Sequence, residues 1–260
     1  MQQTFSILKN LLWRDLLLIK KDFRDNFIDM LVWPTTASLV FGRIMPHIAQ
    51  VDSSFAGLTL LGAIISIIFV NALHHIQLQV TDFEHDRIID YYLTLPLSST
   101  MVFMKQALSI VLRTYIFGLP LFIIAKLLLP QAFSMATFSF TKFLLMFSAV
   151  ALFLAFFGLW ISSWVRNKDA FIHVWLRMYT PMLWFGGFLF SWQQVHTKLP
   201  IASYLMLLNP MTYIMDGLRA SMLGQTGFIN FWVSFGMLTA QAALFAFIAI
   251  RRLQQRLDTV

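Results

Sequence analysis

Asp82-Phe-Glu-His-Asp-Arg-Ile-Ile-Asp-Tyr-Tyr-Leu-Thr-Leu-Pro-Leu-Ser98 is a charged, helix-compatible stretch between two long apolar runs, 58–80 and 101–129. Its seventeen residues exceed what a tight connection between two helices needs and are too few for a domain. That size and charge suit a helix lying at a membrane surface and offered to a soluble partner. On this reading the chain is the membrane half of a machine whose engine is elsewhere.

Composition supports the membrane part of that reading. Of 260 residues, 58% are hydrophobic and 12% charged, and the mean hydropathy is +0.72. Soluble domains carry about 25% charged residues, so the class is an integral membrane protein. The 27 Phe and 8 Trp fit it, since aromatics fill lipid-facing surface and anchor at the interface. The net charge of +7 is accounted for by basic loops that set topology, and nucleic acid is not expected as a partner. Without cysteine there is no disulfide, thiol nucleophile or cysteine-held metal.

A spanning helix needs about 20 mostly apolar residues. Six candidates read out as 27–45, 58–80, 101–129, 138–164, 171–192 and 228–250. The first is interrupted by Asp29 and Pro34, and the third is long enough to tilt or to break near Gly118-Leu119-Pro120. Twelve Lys and Arg fall on the N-terminal segment, the 82–105 region, the link at 165–169 and the C-terminal tail, against five on the alternate loops and span ends. The positive-inside bias therefore places both termini, 82–98 and 165–169 on the cytoplasmic side. Residues 1–24 form no span. Phe5, Leu8, Leu12, Leu16, Ile19 and Phe23 share one helical face, with Lys9, Arg14, Lys20 and Lys21 off it, which predicts a helix lying in the membrane interface with its stripe toward lipid. Residues 193–227 lie on the outer side. Asn209-Pro210 breaks their apolar run, and two short helices dipping into the outer leaflet fit better than an open loop. The fold class is all-α, a single transmembrane domain over 1–260.

Polar groups inside spans are expensive and face protein or water. Arg113 lies near the middle of the third span, and Arg177 about two turns into the fifth. Both read either as structural, bonded to carbonyls or snorkelling, or as facing a substrate or a subunit seam. No carboxylate lies deep in a span, which argues against a proton-driven carrier. The histidines are scattered, with no His-Glu-x-x-His pattern, and no metal or cofactor site is expected. There is no Gly-x-Ser-x-Gly elbow and no phosphate-binding Gly-x-x-x-x-Gly-Lys-Ser/Thr loop, so neither hydrolysis nor ATP cleavage by those routes belongs to this sequence. Trp175, Tyr179, Trp184 and Phe188 crowd the fifth span. They read either as lipid-facing packing or as a stacking-capable lining for a lipid, drug or glycan.

The run Leu208-Asn209-Pro210-Met211-Thr212-Tyr213-Ile214-Met215-Asp216-Gly217-Leu218-Arg219 resembles the Asn-Pro-(apolar)-Thr-Tyr…(Asp/Glu)-x-(apolar)-Arg signature of type-2 ATP-binding-cassette exporter permeases. Phe83-Glu84-His85-Asp86-Arg87 before Leu95-Pro96-Leu97-Ser98 is similar to that family's coupling helix, departing from it at His85 and at Ile88-Ile89-Asp90-Tyr91-Tyr92. The resemblance covers nearly the whole chain: amphipathic N-terminal helix, six spans, and an outer segment before the last span.

It implies a permease that is not itself an enzyme, in the bacterial cytoplasmic membrane, pairing with a second copy or a close homologue and with two cytoplasmic ATPase subunits. ATP and Mg would be used by the ATPase. Phe83, Glu84, Asp86, Arg87, Asp90, Leu95 and Pro96 would couple to it, and Asn209, Pro210, Tyr213, Asp216 and Arg219 would form the outer gate. Asp216 and Arg219, three apart, can pair locally. The readings that compete with export of a lipid-like, drug or glycan substrate are a secondary carrier and a membrane-embedded enzyme acting on lipid.

Overall fold

The computed structural model describes residues 2–49, 53–81, 92, 94–130, 133, 136–165 and 170–258. Phe83, Glu84, Asp86, Arg87 and Asp90, proposed from sequence for ATPase coupling, lie outside the described residues, as do Arg166 and Lys168. Helix is the sole regular secondary structure among the described residues. This is what lipid demands, because a helix satisfies its backbone groups within one segment.

The chain runs α1 (Gln2–Lys21), α2 (Phe23–Leu39) with a π turn at Val40–Ile44, α3 (Met45–Ala49), α4 (Ser53–Thr81), α5 (Ser99–Leu128) and α6 (Phe140–Trp164). There follow α7 (Phe171–Val174) with a π turn at Trp175–Tyr179, α8 (Thr180–Phe185), α9 (Trp192–Lys198), α10 (Pro200–Met206), α11 (Pro210–Met222) and α12 (Phe231–Asp258). Four stretches are long and apolar enough to cross a membrane: Phe55–Leu78, Ser99–Leu128, Phe140–Trp164 and Phe231–Gln255. They are the expected second, third, fourth and sixth spans. The third does not break near Gly118-Leu119-Pro120: helix continues through Pro120.

The first and fifth expected spans are helical but interrupted. Each π turn is followed two residues later by a proline, Pro46 or Pro181. Proline has no N–H to give the carbonyl four residues back, and its ring crowds that carbonyl, which favours a widened turn. In the fifth expected span Thr180 Oγ1 also donates to the Trp175 carbonyl at 3.0 Å. Helix stops at Phe185, short of the expected span 171–192, because Gly186 leaves helical geometry and Gly187 takes φ +88°. The helical stretch 171–185 measures about 22 Å at 1.5 Å per residue, less than the hydrocarbon thickness.

The ends of the bundle are fixed by contacts between distant segments. At one end Asp15 of α1 meets Lys105 near the start of α5, Gln254 of α12 donates to Thr100 at 2.9 Å, and Arg252 lies 3.7 Å over the Trp164 ring at the close of α6. At the other end Ser139 N, before α6, donates to Ser221 O of α11 at 3.0 Å, and Arg219 of α11 reaches Leu58 near the start of α4. The start of α5 and the last turns of α6 and α12 thus share one end with α1, and α11 sits at the opposite end. Between them lies a phenylalanine-rich core in which Phe122, Phe143 and Phe147 contact edge to face or stack, with centroids 5.1–5.8 Å apart.

The amphipathic helix α1 forms, with a different partner for its stripe. Ile19 is buried, Leu16 and Phe23 pack on the core, and Lys9, Arg14, Lys20 and Lys21 stay exposed. The stripe expected to face lipid is turned onto the bundle, where α5 offers apolar surface. Trp13, Leu17 and Leu18 form a second apolar face that is exposed.

Candidate functional site

Two clusters of polar side chains stand out, one at each end. The first is centred on α11. Asn209 caps its N-terminus, accepting from Met211 N at 3.0 Å, and Pro210 opens the helix, where a missing N–H costs nothing. Asn209 Nδ2 also donates to the Met182 carbonyl at 2.7 Å, which ties α11 to α8. Tyr213 donates to Leu207 O and Thr212 to Met206 O, both at 2.8 Å, fastening the turn between α10 and α11.

Arg219 is wholly buried and reaches four carbonyls: Gly187 at 2.6 Å, Phe188 at 2.9 Å, Phe190 at 3.0 Å and Leu58 at 3.0 Å. Its partner Asp216 stands 3.8 Å away and accepts from Trp192 N at 3.2 Å and Ile229 N at 3.3 Å. One ion pair therefore joins the start of α4, the turn after α8, the first residue of α9, α11 and the approach to α12. Burial pushes the Asp216 carboxyl up to about 6, against the pull of Arg219 and the two N–H donors. Burial likewise draws Arg219 down to about 10, against the pull of Asp216. The close approach depends on Gly62, where a Cβ would stand 2.5 Å from Phe188 O and 3.1 Å from Arg219 Nη2.

The second cluster joins α1, Tyr92 and α5. Lys105 Nζ and Asp15 Oδ2 are 2.6 Å apart, with both side chains buried. Arg14 donates to the Tyr92 hydroxyl, and Lys105 Nζ lies 5.0 Å over the Tyr92 ring. From Tyr92 the chain passes through a bend holding Leu95 and Pro96 to Ser98, whose hydroxyl caps α5 by accepting from Met101 N at 3.4 Å. Position 92 is thereby clamped between α1 and the start of α5.

The other sequence candidates are dispersed. Arg113 donates to His75 Nε2 at 2.9 Å, linking α5 to α4 inside the bundle. Arg177 lies exposed in the second π turn. Trp175 and Tyr179 pair with ring centroids 4.6 Å apart, but Tyr179 is buried against Phe69 and donates to Ser66 O. Phe188 is buried between Trp33 and Trp184, whereas Trp184 is half exposed. These four aromatics do not share one surface of the single chain. Among the described residues no group of His, Cys, Asp and Glu is placed to hold a metal ion.

Sequence reading missed Asp15, Tyr92, Lys105 and Gly62. Asp15 carried one signal, an acid in an N-terminal segment with five basic residues. The carbonyls that hold Arg219 carry none.

Residues 7–223, from the first turns of α1 to the end of α11, match the family described as ABC-2 type transporter. The chain belongs to that family. It is a multi-pass membrane protein, a permease domain of an ATP-binding-cassette transport system, and the family implies an ATPase partner. The ABC-2 match takes in both polar clusters and stops short of α12. No curated protein matches the chain.

Proposed function

We propose that this chain is the permease of an ATP-driven exporter in a bacterial cytoplasmic membrane, acting as two copies with two ATPase subunits and both termini cytoplasmic. The observation that carries the reading is the clamp on position 92. Residues 82–91 lead directly into Tyr92, and Tyr92 touches Arg14 and Lys105. A push on 82–98 by a closing ATPase would pass through Tyr92 into α1 and the start of α5. Phe83, Glu84, Asp86, Arg87 and Asp90 would receive the push, with Leu95 and Pro96 forming the stiff link to α5.

At the far end α9, α10 and α11 move as one body under this reading, because Asp216 and Arg219 hold them to α4 and to the turn after α8. Asn209, Pro210, Tyr213, Asp216 and Arg219 thus serve the outer gate as its frame rather than as substrate contacts. The substrate class is amphiphilic or lipid-like, passing along the seam between copies, where the exposed Trp184 and Phe185 supply apolar surface.

Affinity purification in mild detergent, with mass spectrometry of what accompanies the chain, tests the proposal. A soluble protein with a phosphate-binding loop should co-purify and be lost in the Glu84→Ala/Arg87→Ala variant, which remains monodisperse. Recovery of the chain alone after cross-linking sinks the reading.

A further inference from the structure

An apolar cavity of about 450 Å³ opens between the end of α5 and the start of α6. Phe122, Ile123, Phe133, Phe138 and Phe143 line it, and one charged group, Lys126, stands among them. The volume is in the range of small-molecule sites. It is not a closed core void, since Ile123, Leu127 and Phe140 around it are 67%, 75% and 65% exposed. Ile123 and Leu127 belong to α5 and Phe140 to α6, both membrane-spanning helices, so lipid would meet the opening.

Lys126 decides the occupant. It lies two residues before the end of α5, at the level where a span meets the headgroups. Its ammonium makes one long bond, 3.4 Å to Phe133 O, and forms no ion pair among the described residues. No Asp or Glu occurs in the sequence between Asp90 and Asp169, so α5, α6 and the chain between them supply Lys126 and Lys142 with no acidic partner. A basic group at the mouth of an apolar groove between spanning helices suits an anionic lipid headgroup whose chain fills the groove.

We propose that this cavity is a binding site for an anionic bilayer phospholipid, with one acyl chain along Phe122 and Phe143 and the phosphate at Lys126. The site reaches α11 at Met222 but includes neither Asp216 nor Arg219, and none of Trp175, Tyr179, Trp184 and Phe188 lines it. It rests on membrane residence, which the family and the four spans give, and not on the export mechanism.

The test is native mass spectrometry of the full-length protein after partial delipidation, with phosphatidylglycerol and phosphatidylcholine supplied in equal amounts. Wild type should retain phosphatidylglycerol in preference. Lys126→Gln should lower that retention about fivefold, toward the phosphatidylcholine level, and Lys126→Arg should keep it. Ile123→Trp, which projects an indole into an exposed groove, should reduce retention of both lipids without altering the size-exclusion profile. Equal retention of the two lipids by wild type, or unchanged retention in Lys126→Gln, overturns the site. A bound amphiphile that is not a bilayer phospholipid overturns the occupant.

Discussion

At the α11 end, a buried arginine distributes its donors over four carbonyls from two distant segments, and its carboxylate partner accepts two more backbone N–H groups. At the α1 end, a buried Asp15–Lys105 pair is flanked by Arg14, whose side chain is 45% exposed, and by exposed Lys9, Lys20 and Lys21. The first cluster closes on itself. The second holds the chain at Tyr92 and leaves positive charge facing outward. A buried polar network bonded internally at nearly all its groups, Arg219 Nε being the exception, makes a rigid body, whereas a half-exposed one suits an interface with another molecule.

The largest effect is expected from the closed cluster. Arg219→Ala leaves Asp216 buried without its cation and frees four carbonyls. Breaking a buried pair from one side costs about 3–5 kcal/mol, which should remove most monodisperse protein from detergent extracts. Arg219→Lys should recover little, since one ammonium has three donors and no planar fork to span carbonyls from two directions. Near-native yield and melting temperature for Arg219→Ala would mean that the knot does not hold this end together.

Gly62→Ala comes next. The added methyl meets a backbone oxygen at 2.5 Å rather than a side chain that can swing away. Overpacking of this kind costs about 1–3 kcal/mol. The melting temperature should fall, and the loss should not add to that of Arg219→Ala, because both act on the Phe188 carbonyl. Simple additivity in the double variant would separate Gly62 from the knot.

Much of the contrast between the ends was hidden in the sequence. Apolar length predicted α4, α5, α6 and α12 as crossings, since about twenty apolar residues have few other uses. Asn209-Pro210 read as a break in an apolar run with a short helix from Ile214, whereas α11 begins at Pro210 itself, its cap and proline being local chemistry. The stripe Leu8, Leu12, Leu16, Ile19, Phe23 predicted a helix but not its neighbour, as periodicity states that a face is apolar and not what covers it. The π turns escaped because hydropathy is blind to backbone winding, although Pro46 and Pro181 were in view. The partners of Arg219 were out of reach in principle: a carbonyl at Leu58 looks the same in every sequence.

The α1 end sharpens the comparison with an effect below that of Arg219→Ala. Asp15→Ala leaves Lys105 charged without its carboxylate, a loss of about 1.5–3 kcal/mol for a hydrogen-bonded charged group. Adding Lys105→Met should restore most of the melting temperature, because replacing both partners with apolar groups removes the unpaired charge. If the double variant is as unstable as the single, Asp15 stabilises through another contact and the pair is not the anchor of α1.

Arg14→Gln is the smallest perturbation and the one that separates the two kinds of cluster. Arg14 is largely solvated, so its loss should leave the melting temperature within about 2 °C of wild type. Its bond to the Tyr92 hydroxyl, however, lies where residues 82–91 hand over to the bundle. Transport driven by the co-purified ATPase should therefore fall in Arg14→Gln although stability and ATPase binding hold. A fall in melting temperature as large as that of Asp15→Ala would make Arg14 part of a closed network like the one around Arg219, and the contrast between the ends would disappear. Unchanged transport with unchanged stability would move the route of force from α1 to α5, through the contact of Lys105 with the Tyr92 ring.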